Sequence, residues 1–202
     1  MKGFYESAFK EKLDTITEFW LVNLLWVIVC LPMITIPPAT FALYHVLYKW
    51  VKGEGGGLWK EFFHGFKEYF FRSYLIFFGW GLIAVSTYYY YSIVTGEGNS
   101  GFATFGMAIT ILLLIISFMV YVYIIPFHVM LQASTKRIVA LSMMFAVRHI
   151  GLTLLLFTLL LVTALFVFLL PYLGILAFIP TIIYFQIWLI YRRVLADKER
   201  FI

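Results

Sequence analysis

The sequence contains few charged residues, and those that it has avoid its long apolar runs. Asp, Glu, Lys and Arg make up 12% of the 202 residues and hydrophobic residues 63%, whereas soluble domains carry about 25% charged residues. No charged residue occurs in four ranges: Phe19 to Ile36, Ser73 to Thr95, Phe102 to Leu131 and Ile150 to Tyr191. Stretches of this length and composition indicate membrane-spanning helices. The composition therefore predicts an all-α, multi-spanning membrane protein.

Cysteine is almost absent, which excludes the chemistry that pairs or clusters of cysteines support. Cys30 is the single cysteine and lies inside an apolar run, so the chain can form neither an internal disulfide nor a thiol cluster for a metal. We interpret it as a small buried hydrophobic residue. The sequence also lacks an HExxH motif, acids at paired spacing and a phosphate-binding GxxxxGK[ST] loop. We therefore expect no enzyme activity, no cofactor and no metal site.

The first apolar run, Phe19 to Ile36, is followed by a proline pair, Pro37 and Pro38. Proline breaks a helix interior, so we expect the pair to end the first span and force a turn. The run is longer than the roughly 7 to 15 residues of a secretory h-region, which indicates an uncleaved span. Residues 38 to 51 reach only about 21 Å as a helix. They predict a short return segment that is either fully spanning or re-entrant.

Two stretches between the spans predict amphipathic helices on the membrane surface. Residues 58 to 72 place aromatic side chains at helical spacing, with Lys60 and Lys67 between them, a pattern typical of helices in the headgroup region. Residues 132 to 149 bracket an apolar stretch with basic side chains in the same way. The N-terminal tail, residues 1 to 18, mixes Lys with acids and predicts a further interfacial helix.

The basic residues predict an orientation in the cell membrane. Lys and Arg occur in the tail, in 49 to 72, in 132 to 149 and after Tyr191, but not in 96 to 101 or near Pro171. Because basic loops face the cytoplasm, we expect six membrane segments, arranged as three hairpins joined by cytoplasmic helices, with both termini cytoplasmic. The alternative is five segments with the N-terminus outside. We expect residues 1 to 202 to form a single integral membrane domain. The clustering of these charges at span ends also argues against nucleic-acid binding.

A few polar side chains lie inside the apolar segments. The candidate positions are Asn23, His45, His128 and Gln186. Such side chains usually form hydrogen bonds between helices, worth about 0.6 kcal/mol each, but they can also line a solute path, and both interpretations remain open here. We favour helix packing for Asn23, and for His45 and His128 a position near the cytoplasmic headgroups.

Two stretches carry a family resemblance. The first comprises Asn23-Leu-Leu-Trp26, Leu31-Pro32, Thr35-Ile-Pro-Pro-Ala39 and Ala42-Leu-Tyr44, and the second Thr135-Lys-Arg137, Phe145-Ala146 and His149-Ile-Gly-Leu-Thr153. They resemble the N-terminal signature and an internal loop of the YesL-like family of small bacterial integral membrane proteins. That family has no established activity and defines no catalytic residue, so the resemblance assigns none to this chain.

The resemblance implies a context rather than a reaction. Members of the YesL-like family often sit beside carbohydrate uptake and sensing genes. The resemblance therefore implies an accessory or regulatory component of carbohydrate uptake or sensing, whose partners are the lipid bilayer and a transporter or membrane sensor. The alternative is a small uncoupled transporter or channel for a neutral solute, with a pore lined by hydroxyl, amide and aromatic side chains.

Overall fold

The computed structural model describes residues 17–96, 101–170, 174 and 178–196, and over these residues the protein is all-helical. The helices of this part are α1 (Thr17–Cys30), α2 (Ile36–Lys52), α3 (Leu58–Gly96), α4 (Gly101–Leu131), α5 (Thr135–Arg148), α6 (Ile150–Leu169) and α7 (Ile179–Ala196). Three of them, α3, α4 and α6, are long and apolar enough to cross a membrane. The all-α prediction is confirmed, whereas the six segments and their hairpin arrangement stay predictions.

Contacts along the chain divide it into two compact units. Unit 1 comprises Met1–Tyr69 and Thr158–Ile202, and unit 2 comprises Phe70–Phe157. The organisation as a single integral domain stays a prediction. The predicted surface helix of the N-terminal tail covers residues 1 to 18, of which residues 1 to 16 lie outside the described part of the chain. Most of the polar turn after α3 and the turn at Pro171 also lie outside it.

The proline pair has a different role from the predicted one. The first helix ends at Cys30, residues 31–35 form a turn, and Pro37 and Pro38 lie in the first turn of α2. Proline suits that position because the first N–H groups of a helix have no partner within it. The prediction that the pair ends the first span was therefore wrong. The pair begins the second helix, and Pro32 lies in the turn that follows the first.

Helix α2 is the buried element of unit 1. Its buried residues are Pro38, Ala39 and every residue from Phe41 to Leu47, and it packs against α7. It ends at Gly53, whose φ of 75° is readily adopted only by glycine. The Gly53 N–H donates to the Trp50 carbonyl and the Glu54 N–H to the Lys49 carbonyl, which is a Schellman motif. The turn that follows leads the chain directly into α3.

Residues 58 to 72 and 73 to 95, predicted as a surface helix and a span, form one continuous helix, α3. It contains 39 residues, about 58 Å at 1.5 Å per residue, and a bilayer core is only about 30 Å thick. Its charged residues all fall between Lys60 and Arg72, so we place this first part outside the hydrocarbon. The aromatic side chains of that part divide between two faces, since Phe62 and Tyr69 are fully buried while Trp59 and Phe63 are exposed.

Unit 2 is built on α4 and α5 together with the second part of α3 and the start of α6, up to Phe157. Helix α4 continues through Pro126 to Leu131 and packs against α5. The predicted surface helix at 132 to 149 is confirmed as a helix, and its buried face contains Ile138, Ser142 and Phe145. These residues lie three or four apart, so they form one stripe along α5.

Candidate functional site

The four candidate polar residues are all buried, but they do not form one site. Asn23 on α1, His45 on α2 and Gln186 on α7 belong to unit 1, whereas His128 on α4 belongs to unit 2. None of the four is more than 5% exposed. Protein atoms therefore cover both histidines, although their depth in a membrane stays a prediction.

Gln186 joins two helices of unit 1. The Tyr44 hydroxyl donates a hydrogen bond of 2.7 Å to Gln186 Oε1, and both side chains are buried. One turn further along α2, the ring of Tyr48 packs edge-on against Tyr191, with 6.0 Å between centroids. Tyr44 was not among the predicted site residues, although it ends the first stretch of the family resemblance. Gln186 thus contributes to the packing of α2 on α7.

His45 belongs to a charged cluster that joins α2 to α3. Lys49 Nζ lies 2.6 Å from Glu61 Oε2, and His45 Nε2 lies 3.4 Å from the same oxygen. His45 and Lys49 are four residues apart, so they lie on one face of α2. Glu61 lies in the first turn of α3, where the helix dipole favours a carboxylate. The three side chains therefore connect the last turns of α2 to the first turn of α3.

Glu61 carries the negative charge of this cluster, and Lys49 compensates it. Glu61 lies in the charged first part of α3, which we place outside the hydrocarbon, and its side chain is 17% exposed. The hydrogen bond from the Lys49 ammonium lowers the pKa of the Glu61 carboxyl below its ordinary value near 4.5. Glu61 is thus a carboxylate at neutral pH, already engaged by a cation. This arrangement suits a structural ion pair and not a general base.

Glu61 was not among the predicted site residues, although the sequence contains a signal for it. The connection between α2 and α3, residues 53 to 57, is short and rich in glycine, and connections of this length make neighbouring helices antiparallel. The end of α2 must then face the start of α3. Lys49 lies near the end of α2 and Glu61 in the first turn of α3, so opposite charges meet across the connection.

Gly65 allows α2 and α3 to approach closely beside this cluster. A Cβ added at Gly65 would lie 2.9 Å from His45 Cβ and 3.3 Å from Ala42 Cα. The first distance is shorter than carbon atoms tolerate, and the second involves backbone that cannot rotate away. A side chain at this position therefore requires the two helices to separate. Small residues play this part in membrane helix packing generally.

Among the residues that the structure describes, Asn23 forms no side-chain hydrogen bond to another helix, and its role in helix packing stays a prediction. Its side chain is fully buried, and neither its amide nitrogen nor its amide oxygen has a hydrogen-bond partner among the described residues. A buried polar group in this state costs about 1–3 kcal/mol. Within the described part of the chain, no interaction offsets this cost.

His128 takes part in a second polar connection, at the end of α4 in unit 2. Its Nδ1 lies 3.0 Å from the Ile124 carbonyl oxygen, which can only accept, so Nδ1 carries the proton. Nε2 then accepts from the Thr135 hydroxyl at 3.5 Å. The imidazole thereby links α4 to the first turn of α5.

Thr153 joins three helices of unit 2 and was not predicted as a site residue. Its hydroxyl lies 2.9 Å from the Ala146 carbonyl of α5 and 3.1 Å from the His149 carbonyl. Its single proton is directed to these carbonyls, so the Tyr123 hydroxyl of α4, at 2.9 Å, is the donor to Thr153. Phe145 packs on the Tyr123 ring beside it, with 5.3 Å between centroids. Most of these residues occur in the second stretch of the family resemblance.

Unit 2 also contains a cavity of about 750 Å³. Its walls are almost entirely apolar and aromatic, and none of the four candidate polar residues contributes to them. The lining residues are Trp80, Ala84, Thr87, Tyr88, Tyr91, Met107, Ile111, Leu114, Ile115, Phe118, Met119, Val122, Thr153, Leu154 and Phe157. Among the residues that the structure describes, no group of His, Cys, Asp or Glu could hold a metal ion.

Fold and polar contacts together define the class: over the described residues, this is an all-helical protein with three helices able to cross a membrane, in which the buried side chains of Gln186, His128 and Thr153 connect helices. Residues 19–91 match the family model described as "Protein of unknown function, DUF624". The match covers the first stretch of the YesL-like resemblance and not the second. No curated protein and no solved structure matches the chain.

Proposed function

We propose that the protein is a non-enzymatic accessory or regulatory membrane protein that acts through helix contacts with a carbohydrate transporter or membrane sensor. One observation carries the proposal: two of the four candidate polar side chains, Gln186 and His128, bond to a neighbouring helix, and the large cavity is apolar. Gln186 bonds to Tyr44, and His128 bonds to groups of α4 and α5. A solute pathway needs such groups along a water-filled cavity. The carbohydrate context rests on the YesL-like resemblance alone.

The proposal includes an arrangement in the cell membrane. Six segments with both termini in the cytoplasm would place every basic cluster on one side. The turn at residues 31–35 supports this arrangement, because it separates α1 from α2 and lets the chain return. Under this arrangement the first part of α3 lies at the cytoplasmic surface. There Trp59 and Phe63, 58% and 44% exposed, provide an aromatic surface for a partner.

The test combines partner capture with solute uptake. The tagged chain is purified from its native membrane in mild detergent, and bound proteins are identified. We expect a carbohydrate transporter or sensor subunit, and we expect W59A/F63A to lose it. The matched control is Phe78→Ala, which removes a 70% exposed aromatic ring from the spanning part of the same helix and should retain the partner.

Uptake is measured in vesicles that contain the chain alone, against vesicles without protein. We expect no saturable uptake of sugars in either. Saturable uptake driven by a proton or sodium gradient would overturn the accessory function. It would also make His45, His128 and Gln186 the first residues to substitute.

A further inference from the structure

We propose that one end of unit 2 binds the headgroups of anionic phospholipids, with α5 as the docking surface. We refer to this region as the basic end; its residues are Arg72, Lys136, Arg137 and Arg148. The proposal goes beyond the accessory function and does not depend on which protein partner the chain has. It rests on three observations: where the charges of unit 2 lie, which side chains α5 exposes, and how α5 is connected.

Over the described residues of unit 2, the charges are of one sign and occur at one end. Among its described residues no Asp or Glu is present. Helices α3 and α4 run side by side in opposite directions, since Phe77 packs on Tyr121 with 5.9 Å between ring centroids and Tyr90 lies against Gly106. Arg72 therefore lies toward the same end as His128, which contacts Thr135 at the start of α5. From Arg72 to Gly96, α3 rises about 36 Å, more than the roughly 30 Å hydrocarbon core. The basic end and the far end of α3 therefore lie at different membrane surfaces.

Helix α5 exposes an apolar ridge next to its basic side chains. Its buried face packs inside unit 2, and the exposed face carries Val139, Met143, Met144 and Val147. Val147 is 72% exposed, a position that is unfavourable in water. Arg137 and Arg148 are eleven residues apart, about three turns, so they lie on the same flank of the ridge. Apolar side chains beside basic ones are typical of helices in the interface of an anionic membrane.

The connections of α5 hold it at the membrane surface. Helix α4 ends at Leu131 and α6 begins at Ile150, and both helices are able to cross the membrane. The chain between them must therefore stay at the surface where α4 leaves the bilayer and α6 enters it. An acidic protein segment would satisfy the charges but would leave the apolar ridge uncovered. A lipid provides an anionic headgroup for the arginines and acyl chains for the ridge.

The first experiment measures lipid binding to the full chain in detergent by native mass spectrometry. The probes are phosphatidylglycerol and phosphatidylcholine, and the variant is K136Q/R137Q. We expect wild type to prefer phosphatidylglycerol, and we expect the preference to fall about five-fold for each basic side chain removed. The control K136R/R137K keeps both charges and should keep the preference. Glycerol phosphate, which lacks acyl chains, should not displace the lipid.

The second experiment places a spin label at Val147→Cys in a Cys30→Ala background, in bilayers with and without phosphatidylglycerol. We expect the label to contact a lipid-soluble relaxation agent, and K136Q/R137Q to reduce this contact only in the anionic bilayer. Either of two results would overturn the proposal: equal preference in wild type and K136Q/R137Q, or a label at residue 147 that contacts only the water-soluble agent. Binding of an acidic polypeptide without any preference among lipids would assign the basic end to a protein partner instead.

Discussion

Glu61 shows how one carboxylate can connect two helices. Its Oε2 accepts from Lys49 and lies beside His45, and both of these belong to α2. The side chain is partly shielded from water, so its attraction to Lys49 is less screened than that of a surface pair. Among the described charged residues of unit 1, we therefore expect the loss of Glu61 to lower the free energy of unfolding most.

Glu61→Gln should lower the free energy of unfolding by about 1 kcal/mol, because Lys49 then lacks its counter-charge while solvent still screens part of the loss. Thermal unfolding in detergent measures the change. Glu68→Gln is the matched control, since Glu68 pairs only loosely with the exposed His64, at 3.6 Å. An equal effect of the two substitutions would show that the cluster adds nothing to stability.

The same pair predicts a dependence on pH. The pKa of Glu61 is lowered in the folded chain, so the pair contributes fully above the ordinary carboxyl value near 4.5 and loses its contribution as the pH falls through the folded value. The difference in melting temperature between wild type and Glu61→Gln should therefore shrink in acid. A difference that grows in acid would contradict the assignment.

Thr153→Val tests the second polar connection. The substitution keeps the shape of the side chain but removes the acceptor for Tyr123 and the donor to Ala146. We expect a loss of about 1 kcal/mol, in the range for buried hydrogen bonds. Thr163→Val, also on α6, removes only a bond to the Leu159 carbonyl of its own helix and should cost less. Equal losses for the two variants would argue against a role for Thr153 in joining helices.

At the scale of elements, three features connect α2 to the start of α3. The glycine-rich connection reverses the chain, the charged cluster aligns the helix ends, and Gly65 lets the helices approach. The charged cluster depends on the close approach at Gly65, because short contacts between side chains require backbones that are close together.

Gly65→Ala should destabilise the protein by about 1–3 kcal/mol, because the added methyl group meets His45 and the backbone of Ala42. Gly79→Ala, in the same helix, has no atom within 4 Å of the added Cβ and should be neutral or stabilising by up to about 1 kcal/mol. Melting temperatures of both variants in detergent provide the comparison. A stabilising Gly65→Ala would show that the two helices have room to separate.

At the scale of the whole molecule, the placement of charge along the chain predicts how it enters the membrane. Reporter fusions at residue 98 and at residue 202 should report different sides, with residue 202 in the cytoplasm. A fusion at the N-terminus should report the cytoplasm too. An N-terminal reporter on the outer side would reduce the count to five segments and make residues 19 to 50 a single crossing.

The sequence alone predicted the class, most helix positions and the polar residues inside the apolar runs. Composition suffices for this, because a charge in hydrocarbon is costly wherever it lies along the chain. It also predicted α5, whose apolar residues recur at helical spacing. The sequence alone did not predict that α3 is continuous. An amphipathic segment at the surface and an apolar segment in the membrane differ in their surroundings but have the same helical backbone, so the pattern does not show whether they form one helix or two.

The tertiary structure decided which polar groups meet. Tyr44 and Gln186 are 142 residues apart in sequence, and no local pattern connects them. The roles of Thr153 and Gly65 likewise depend on a neighbouring helix, which periodicity does not identify. Helical spacing specifies which face of a helix is apolar. Which partner covers that face depends on packing between distant parts of the chain.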